Sequence, residues 1–342
     1  MHGQTALRSA GGAAGSAVRA DSRLGTERSP GATTPAIARP VATTGALQAY
    51  GEWLVHIDGS PRSAERLALA RRLAQVAGGR VLAMHAVTPV WTELPMSALG
   101  DGGAVVLLQQ ADEERQRAAR RLFDAEASRP GAPLSWSDGP AAQGGGALMP
   151  AVSRLAARAL CSDVLVLGQQ DRDDPLTWGV PSDLIPGVLT ASGRPALVVP
   201  RVGHFDTVGR RILVAWKSSR ESARALSSAL PWLKTAQRVE IARWSEPGWR
   251  YGETAPDQPG MPPPSDAWLR DWLQAHGVTA HITHEGDASA DIGELLLSRA
   301  ADTDADLMVM GCYGHTRARE WLLGGATRSV LQSMTLPVWM AH

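Results

Sequence analysis

The feature that most constrains this chain is that it repeats itself. Trp53-Leu-Val-His-Ile-Asp58-Gly59-Ser60 runs into the helical pattern PRSAERLALARRLAQVAGG, and far downstream Ile212-Leu-Val-Ala-Trp216-Lys217-Ser218-Ser219 runs into RESARALSSALPWL. Two later apolar runs also match, Asp163-Val-Leu-Val-Leu-Gly168 with Asp306-Leu-Met-Val-Met-Gly311. So do two closing runs, Pro195-Ala-Leu-Val-Val199 and Pro337-Val-Trp-Met340. A long-period repeat means two copies of one structural plan. The join falls between Arg201 and Gly209.

Each copy alternates short β-rich runs with amphipathic helices. Strands are predicted at 53–57, 80–86, 133–137, 163–168 and 195–199, and again at 211–216, 237–243, 278–283, 306–311 and 337–340. Helices are predicted at 61–77, 106–127, 147–160 and 180–191, then at 220–231, 265–276, 289–301 and 325–333. Apolar strands between helices indicate a parallel sheet covered on both faces. Right-handed crossovers then give an α/β chain of two tandem doubly wound, Rossmann-like domains. In such sheets ligands bind beyond the carboxyl ends of the strands, where the strand order reverses. Asp58 and Gly311 both lie just past such ends.

The first residues do not share this pattern. MHGQTALRSAGGAAGSAVRADSRLGTERSPGATTPAIARP is rich in Ala, Gly, Ser, Thr and Arg without apolar periodicity. It buries too little to offset its ordering entropy, so 1–47 reads as a disordered tail before domains at 48–203 and 204–342. Its Arg-rich, acid-poor character also fits an organellar transit peptide. Lys plus Arg and Asp plus Glu balance at 34 each, which gives no general attraction to nucleic acid or an acidic membrane. No apolar run reaches the length of a spanning helix. Two cysteines, Cys161 and Cys312, make neither a disulfide framework nor a metal-ligand spacing. A cytoplasmic chain is expected.

The chemistry-bearing stretch is GCYGHTRAREWLLGG, from Gly311 to Gly325, which follows a strand and opens a helix. Gly311, Gly314 and Gly324 are spaced Gly-x2-Gly-x9-Gly. Glycines let a backbone approach phosphate closely, and free amides at a helix N-terminus favour negative charge. With the openings VHIDGS and LVAWKSSRESA and the closing DLMVMGCYGHTRAREWLLGGATRSVLQSMTLPVWM, each half resembles a universal stress protein domain over roughly 50–342. The resemblance implies the doubly wound fold and a stress-response role. In the nucleotide-binding branch of that family, an Asp after the first strand contacts the adenine nucleoside, and the glycine loop with a following Ser or Thr wraps the phosphates.

This chain divides those features. The first half keeps Asp58, but the loop after Gly168, GQQDRDDPLTWGVPSD, carries Asp171, Asp173 and Asp174 where phosphates would lie. The second half keeps Gly311, Gly314 and Gly324, while Lys217 stands for the Asp and Gly325 for the Ser or Thr. The nucleotide or anion candidates are therefore Gly311, Gly314, Gly324, Gly325 and Asp58. Arg317, Arg319 or Arg328 would add positive charge. An adenine nucleotide such as ATP, bound weakly, is the expected ligand, and no metal is expected. His281, His284, Glu285 and Asp287 read as a polar loop rather than a metal site. Trp268, Leu269, Trp272, Leu273 and His276 read as core, and Cys312 as a small, partly buried thiol. The Pro-rich stretch 245–264, with Trp249 and Tyr251, reads as a long loop over a ligand or partner.

No nucleophile elbow, Walker loop or His-Glu-x-x-His is present, so catalysis is not expected. Two function classes follow. One is a non-catalytic stress-response regulatory module that takes a nucleotide or anion in its second half. The other is an interaction or scaffold protein that keeps the fold alone. The closing strands, short, apolar and preceded by Pro, are expected to pair the halves as an internal pseudo-dimer. Homodimerisation and further protein partners are compatible with this plan.

Overall fold

In a computed structural model the chain is described over residues 47–89, 103–138, 149–171, 173–245, 265–287, 291–312 and 325–342. The first half runs β1 (Glu52–Ile57), α1 (Pro61–Ala77), β2 (Arg80–His85), α2 (Gly103–Ala127), β3 (Leu134–Ser137), α3 (Ala151–Ala159), β4 (Val164–Gly168), α4 (Leu184–Ser192) and β5 (Ala196–Val199). The second runs β6 (Arg211–Ala215), α5 (Arg220–Ser228), α6 (Leu230–Leu233), β7 (Arg238–Ser245), α7 (Asp266–Ala275), β8 (His281–Asp287), α8 (Ile292–Asp302), β9 (Leu307–Gly311), α9 (Gly325–Ser333) and β10 (Val338–Ala341).

All ten strands form one sheet in the order β3-β2-β1-β4-β5-β10-β9-β6-β7-β8. Within each half every pairing is parallel. The two halves meet where β5 and β10 pair antiparallel, Val198 opposite Val338 and Ala196 opposite Met340. Each half thus has the same internal order, and in each the winding reverses between its first and fourth strands. Those reversals, between β1 and β4 and between β6 and β9, define two crevices at carboxyl strand ends.

Strand alternation divides the core into two layers. One layer holds Trp53, Val55, Leu197 and Trp339 beneath α1 and α5, and the other holds Leu54, Leu165, Val198 and Met340 beneath α3, α4 and α8. Both layers cross the β5–β10 join, so the halves share their core. Each fully buried large side chain contributes about 1.5–3 kcal/mol.

The duplication extends to individual hydrogen bonds. Asp163, just before β4, accepts the amides of Gly51 and Glu52 at 2.9 Å each, which fixes the entry to β1. Asp306, just before β9, accepts the amides of Gly209, Arg210 and Arg211 at 2.8–3.1 Å and fixes the entry to β6.

Several elements differ from the sequence reading. The helix expected over 220–231 stops at Ser228, and a separate turn, α6, begins at Leu230. Pro231 in the first turn of α6 has no amide to donate to a continuing helix. The strand expected at 278–283 is β8, which runs His281–Asp287. The residues read as a polar loop are therefore strand. An edge strand tolerates them, because His281 and His284 face solvent while Ile282 packs against the core. On α7, Leu269 and Leu273 are buried as expected, but Trp268 is 66% exposed. The stretch 246–264, with Trp249 and Tyr251, lies outside the described residues, as does the tail before Leu47.

Candidate functional site

In the first crevice, Asp58 leaves β1 and turns inward. Its Oδ1 accepts the Ser60 amide at 3.0 Å and the hydroxyls of Ser60 and Ser63 at 2.6 Å each. Its Oδ2 accepts Arg66 Nη2 at 3.1 Å. Arg66 comes from the second turn of α1 and is 3% exposed. Its Nε also donates to the His56 carbonyl at 2.8 Å, and its Nη2 donates to Ser63 Oγ at 2.8 Å. Gly168 ends β4 directly beside this cation, and a Cβ there would lie 1.9 Å from Arg66 Nη1.

Burial alone would raise the Asp58 pKa. The Arg66 guanidinium, with the hydroxyl donors of Ser60 and Ser63, outweighs it and holds the carboxyl below the usual range. His56 is fully buried, and burial first, then Arg66, pulls its pKa down to about 4 despite Asp58. It is therefore neutral at pH 7, with Nε2 2.9 Å from the Ala86 carbonyl oxygen.

The loop after β4 is closed onto the segment after β2. Gly179, at φ +86°, accepts the Thr88 amide at 2.7 Å, and a side chain there would meet Thr88 O at 2.3 Å. Asp174 accepts the Leu176 amide at 2.9 Å, and the Thr177 hydroxyl donates to the Asp171 and Asp174 carbonyls. Gln169 ties this loop to the other half, donating to the Leu331 and Gln332 carbonyls of α9 at 3.0 Å each.

The second crevice is built differently. Lys217 follows β6 on the exposed side, and its amide donates to Ser222 Oγ at 3.4 Å. Ser219 caps α5 by accepting the Ser222 amide at 3.2 Å. Eight residues after Asp58 comes Arg66, whereas eight after Lys217 comes the buried Ala225. With a methyl group in place of a guanidinium, α5 closes onto β9 itself. A Cβ at Gly311 would lie 2.5 Å from the Ser222 amide nitrogen and 2.6 Å from Glu221 C. Glu221 is buried in that first turn. Burial, then the Glu221 carboxylate, pushes the Cys312 thiol up to about 12. Cys312 is fully buried, not partly, with Sγ 3.4 Å from the Ala341 carbonyl. The buried Trp216 Nε1 and Ser218 Oγ, in the same β6–α5 turn, have no hydrogen-bond partner among the described residues.

The candidate residues therefore separate. Asp58 belongs to the first crevice and Gly311 to the second, with β5 and β10 between β4 and β9. Gly325 opens α9, where a Cβ would come 3.8 Å from Asp291 Oδ2, the carboxylate that caps α8. Arg328 is exposed on α9. Gly314, Gly324, Arg317 and Arg319 lie outside the described residues. Sequence reasoning did not find Arg66. The signal was present in the internal alignment, where the Asp–Arg spacing of one half becomes Lys–Ala in the other.

At the far edge of the sheet, Asp266 bonds Arg243 and accepts His284 Nε2 at 2.6 Å. Among the described residues no His, Cys, Asp and Glu group has a metal-holding arrangement, and no helix is long and apolar enough to cross a membrane.

The universal stress protein family model matches residues 209–342. No curated protein matches the chain. A universal stress protein from Archaeoglobus fulgidus has a similar solved structure, with TM-score 0.56 and 16% identity over 85% of this chain and 97% of that one. A protein from Pseudomonas aeruginosa assigned to the same family gives TM-score 0.47 and 17% identity over 87% and 95%. A universal stress protein solved in complex with cAMP gives TM-score 0.29 and 16% identity over 44% and 97%. At such identities the likeness to the first is one of fold.

Proposed function

We propose, from the match of residues 209–342 to the universal stress protein family model, that the chain is a non-catalytic stress-response regulatory module that binds an adenine nucleotide weakly at its second crevice. The first half, 48–203, is then a second domain of the same kind, paired with 204–342 as an internal pseudo-dimer in the cytoplasm. The observation that carries the reading is the difference between the two crevices. Arg66 lies across the end of β4, while Ala225 stands at the matching place beside β9. In the sequence the second half keeps the glycine spacing of Gly311, Gly314 and Gly324 between β9 and α9, and the exposed Lys217 follows β6.

Weak binding follows from what is missing. Without a carboxylate at 217 and a hydroxyl at 325, two anchoring hydrogen bonds are lost, each worth about 1.5–3 kcal/mol where a charged group is involved. Calorimetry with ATP tests the reading. Wild type should bind in the micromolar to millimolar range without releasing phosphate. Gly314→Glu should abolish binding, and Asp58→Ala should leave it unchanged. Binding that survives Gly314→Glu but disappears with Asp58→Ala would place the site in the first half.

One observation favours the scaffold reading instead. Glu221 packs its backbone and Cβ against Gly311, and its buried carboxylate acts on the adjacent Cys312, an environment unfavourable to a phosphate. A wild-type protein that carries no nucleotide in its denatured extract and gives no heat with ATP would support that reading.

A further inference from the structure

Arg66 closes three elements around one planar cation. The guanidinium bonds the Asp58 carboxylate after β1, the Ser63 hydroxyl on α1 and the His56 carbonyl in β1. Its Nη1 end lies against Gly168 at the end of β4, where any Cβ would strike Nη1 at 1.9 Å. A charge this deeply buried is tolerated only because it is paired and hydrogen-bonded. Asp58 supplies the matching charge. The loop after β4 carries Asp171, which pairs with Arg201 at 3.6 Å, and Asp173 and Asp174, while Arg154 and Arg115 act on the neighbouring His85 with the opposite sign.

We infer that the first crevice is a guanidinium site filled by the chain's own Arg66, so that this half is closed to nucleotides and its chemistry selects a planar cation. The two crevices thereby have opposite preferences. The first holds an acid and carries its own cationic occupant, and the second presents Lys217 without one. The inference concerns the first half alone and stands whether or not the second binds ATP.

Two experiments test it. In the first, Gly168→Ala is compared in wild type and in Arg66→Ala. A methyl at 168 strikes only the guanidinium among its nearest neighbours, so Gly168→Ala should lower the melting temperature of wild type but leave that of Arg66→Ala nearly unchanged. Equal losses in both backgrounds would overturn the arrangement.

In the second, Arg66→Ala is melted with methylguanidinium at tens of millimolar, against equal methylammonium and sodium chloride. Methylguanidinium should recover part of the lost melting temperature in Arg66→Ala. Neither wild type nor Asp58→Ala/Arg66→Ala should respond beyond the salt control. Absence of selective recovery overturns the proposal. If Arg66→Ala does not fold, the same probe is present during refolding, and recovery of folded protein with methylguanidinium alone supports the proposal while failure overturns it. ATP binding that survives Gly314→Glu but disappears in Asp58→Ala/Gly314→Glu would also overturn the proposal, since the first crevice would then take a nucleotide with Arg66 in place.

Discussion

Trp53 of β1 and Trp232 of α6, one from each half, meet edge to face with ring centroids 6.5 Å apart and planes at 86°. Trp339 continues the cluster, 5.9 Å from Trp232, and its Nε1 donates to Ser228 Oγ at 2.9 Å. The buried Trp232 Nε1 has no partner among the described residues. Trp232→Ala should therefore cost about 3–5 kcal/mol by removing the ring that both halves pack against. Trp232→Phe should cost far less, within about 1–2 kcal/mol, because it also removes an unpaired donor. Denaturant unfolding checks both, and the halves should unfold in a single transition because their core is shared.

Acid should destabilise the protein through His56. Its folded pKa is about 4, against roughly 6.5 when unfolded. The unfolded chain binds the extra proton between those values, so stability is fully present above pH 6.5 and is lost as pH falls toward 4. The loss is on the order of 3 kcal/mol. Asp58, held low in the fold, acts in the same direction below the ordinary carboxylate pKa. His56→Gln should flatten the curve of stability between pH 4 and 6.5. An unchanged slope would show that the imidazole is already exposed to protons.

The two thiols should react very differently. Cys161 is exposed, whereas Cys312 is buried with its pKa near 12. A thiol-specific reagent at pH 8 should modify one cysteine in native protein and both after denaturation. Native Cys161→Ser should not react at all. Rapid modification of Cys312 would mean that the first turn of α5 opens from β9.

Asp163→Ala and Asp306→Ala should have matching effects, since each carboxylate holds the amides at the entry to its half's first strand. Each should cost about 1–2 kcal/mol, the contact being partly solvated. Strands β4 and β9 are three sheet spacings apart, roughly 14 Å. The double variant should therefore lose the sum. Chemical unfolding of the three proteins measures this.

Most of the architecture was legible because strand and helix periods are strong signals in a parallel sheet. The matched runs ending at Gly168 and Gly311 located both reversal points. Pro231 was visible in the sequence, but a break that divides a helix in two depends on how the shared core receives Trp232. At β8 the polar residues from His284 onward hid how far the strand runs, since an edge position imposes little apolar pattern. The crevices were harder to read. Arg66 sits among several arginines of α1, of which Arg71 is also buried, and nothing in helical spacing marks which one turns toward Asp58. That depends on Asp58 and on Gly168, a hundred residues later, leaving room for it. Whether Glu221 would be buried against Gly311 was equally invisible, because it follows from Ala225 letting α5 close.

The antiparallel join of β5 and β10 also fixes a direction. Strands run one way in the first half and the opposite way in the second, so their carboxyl ends emerge at opposite rims of the single sheet. The protein is thus two-poled. The Arg66-filled crevice looks toward one rim and the Lys217 crevice toward the other. A small molecule held at either pole is out of reach of the other, and influence between them has to cross the seam, through its strands, the tryptophan cluster or the Gln169 contact with α9.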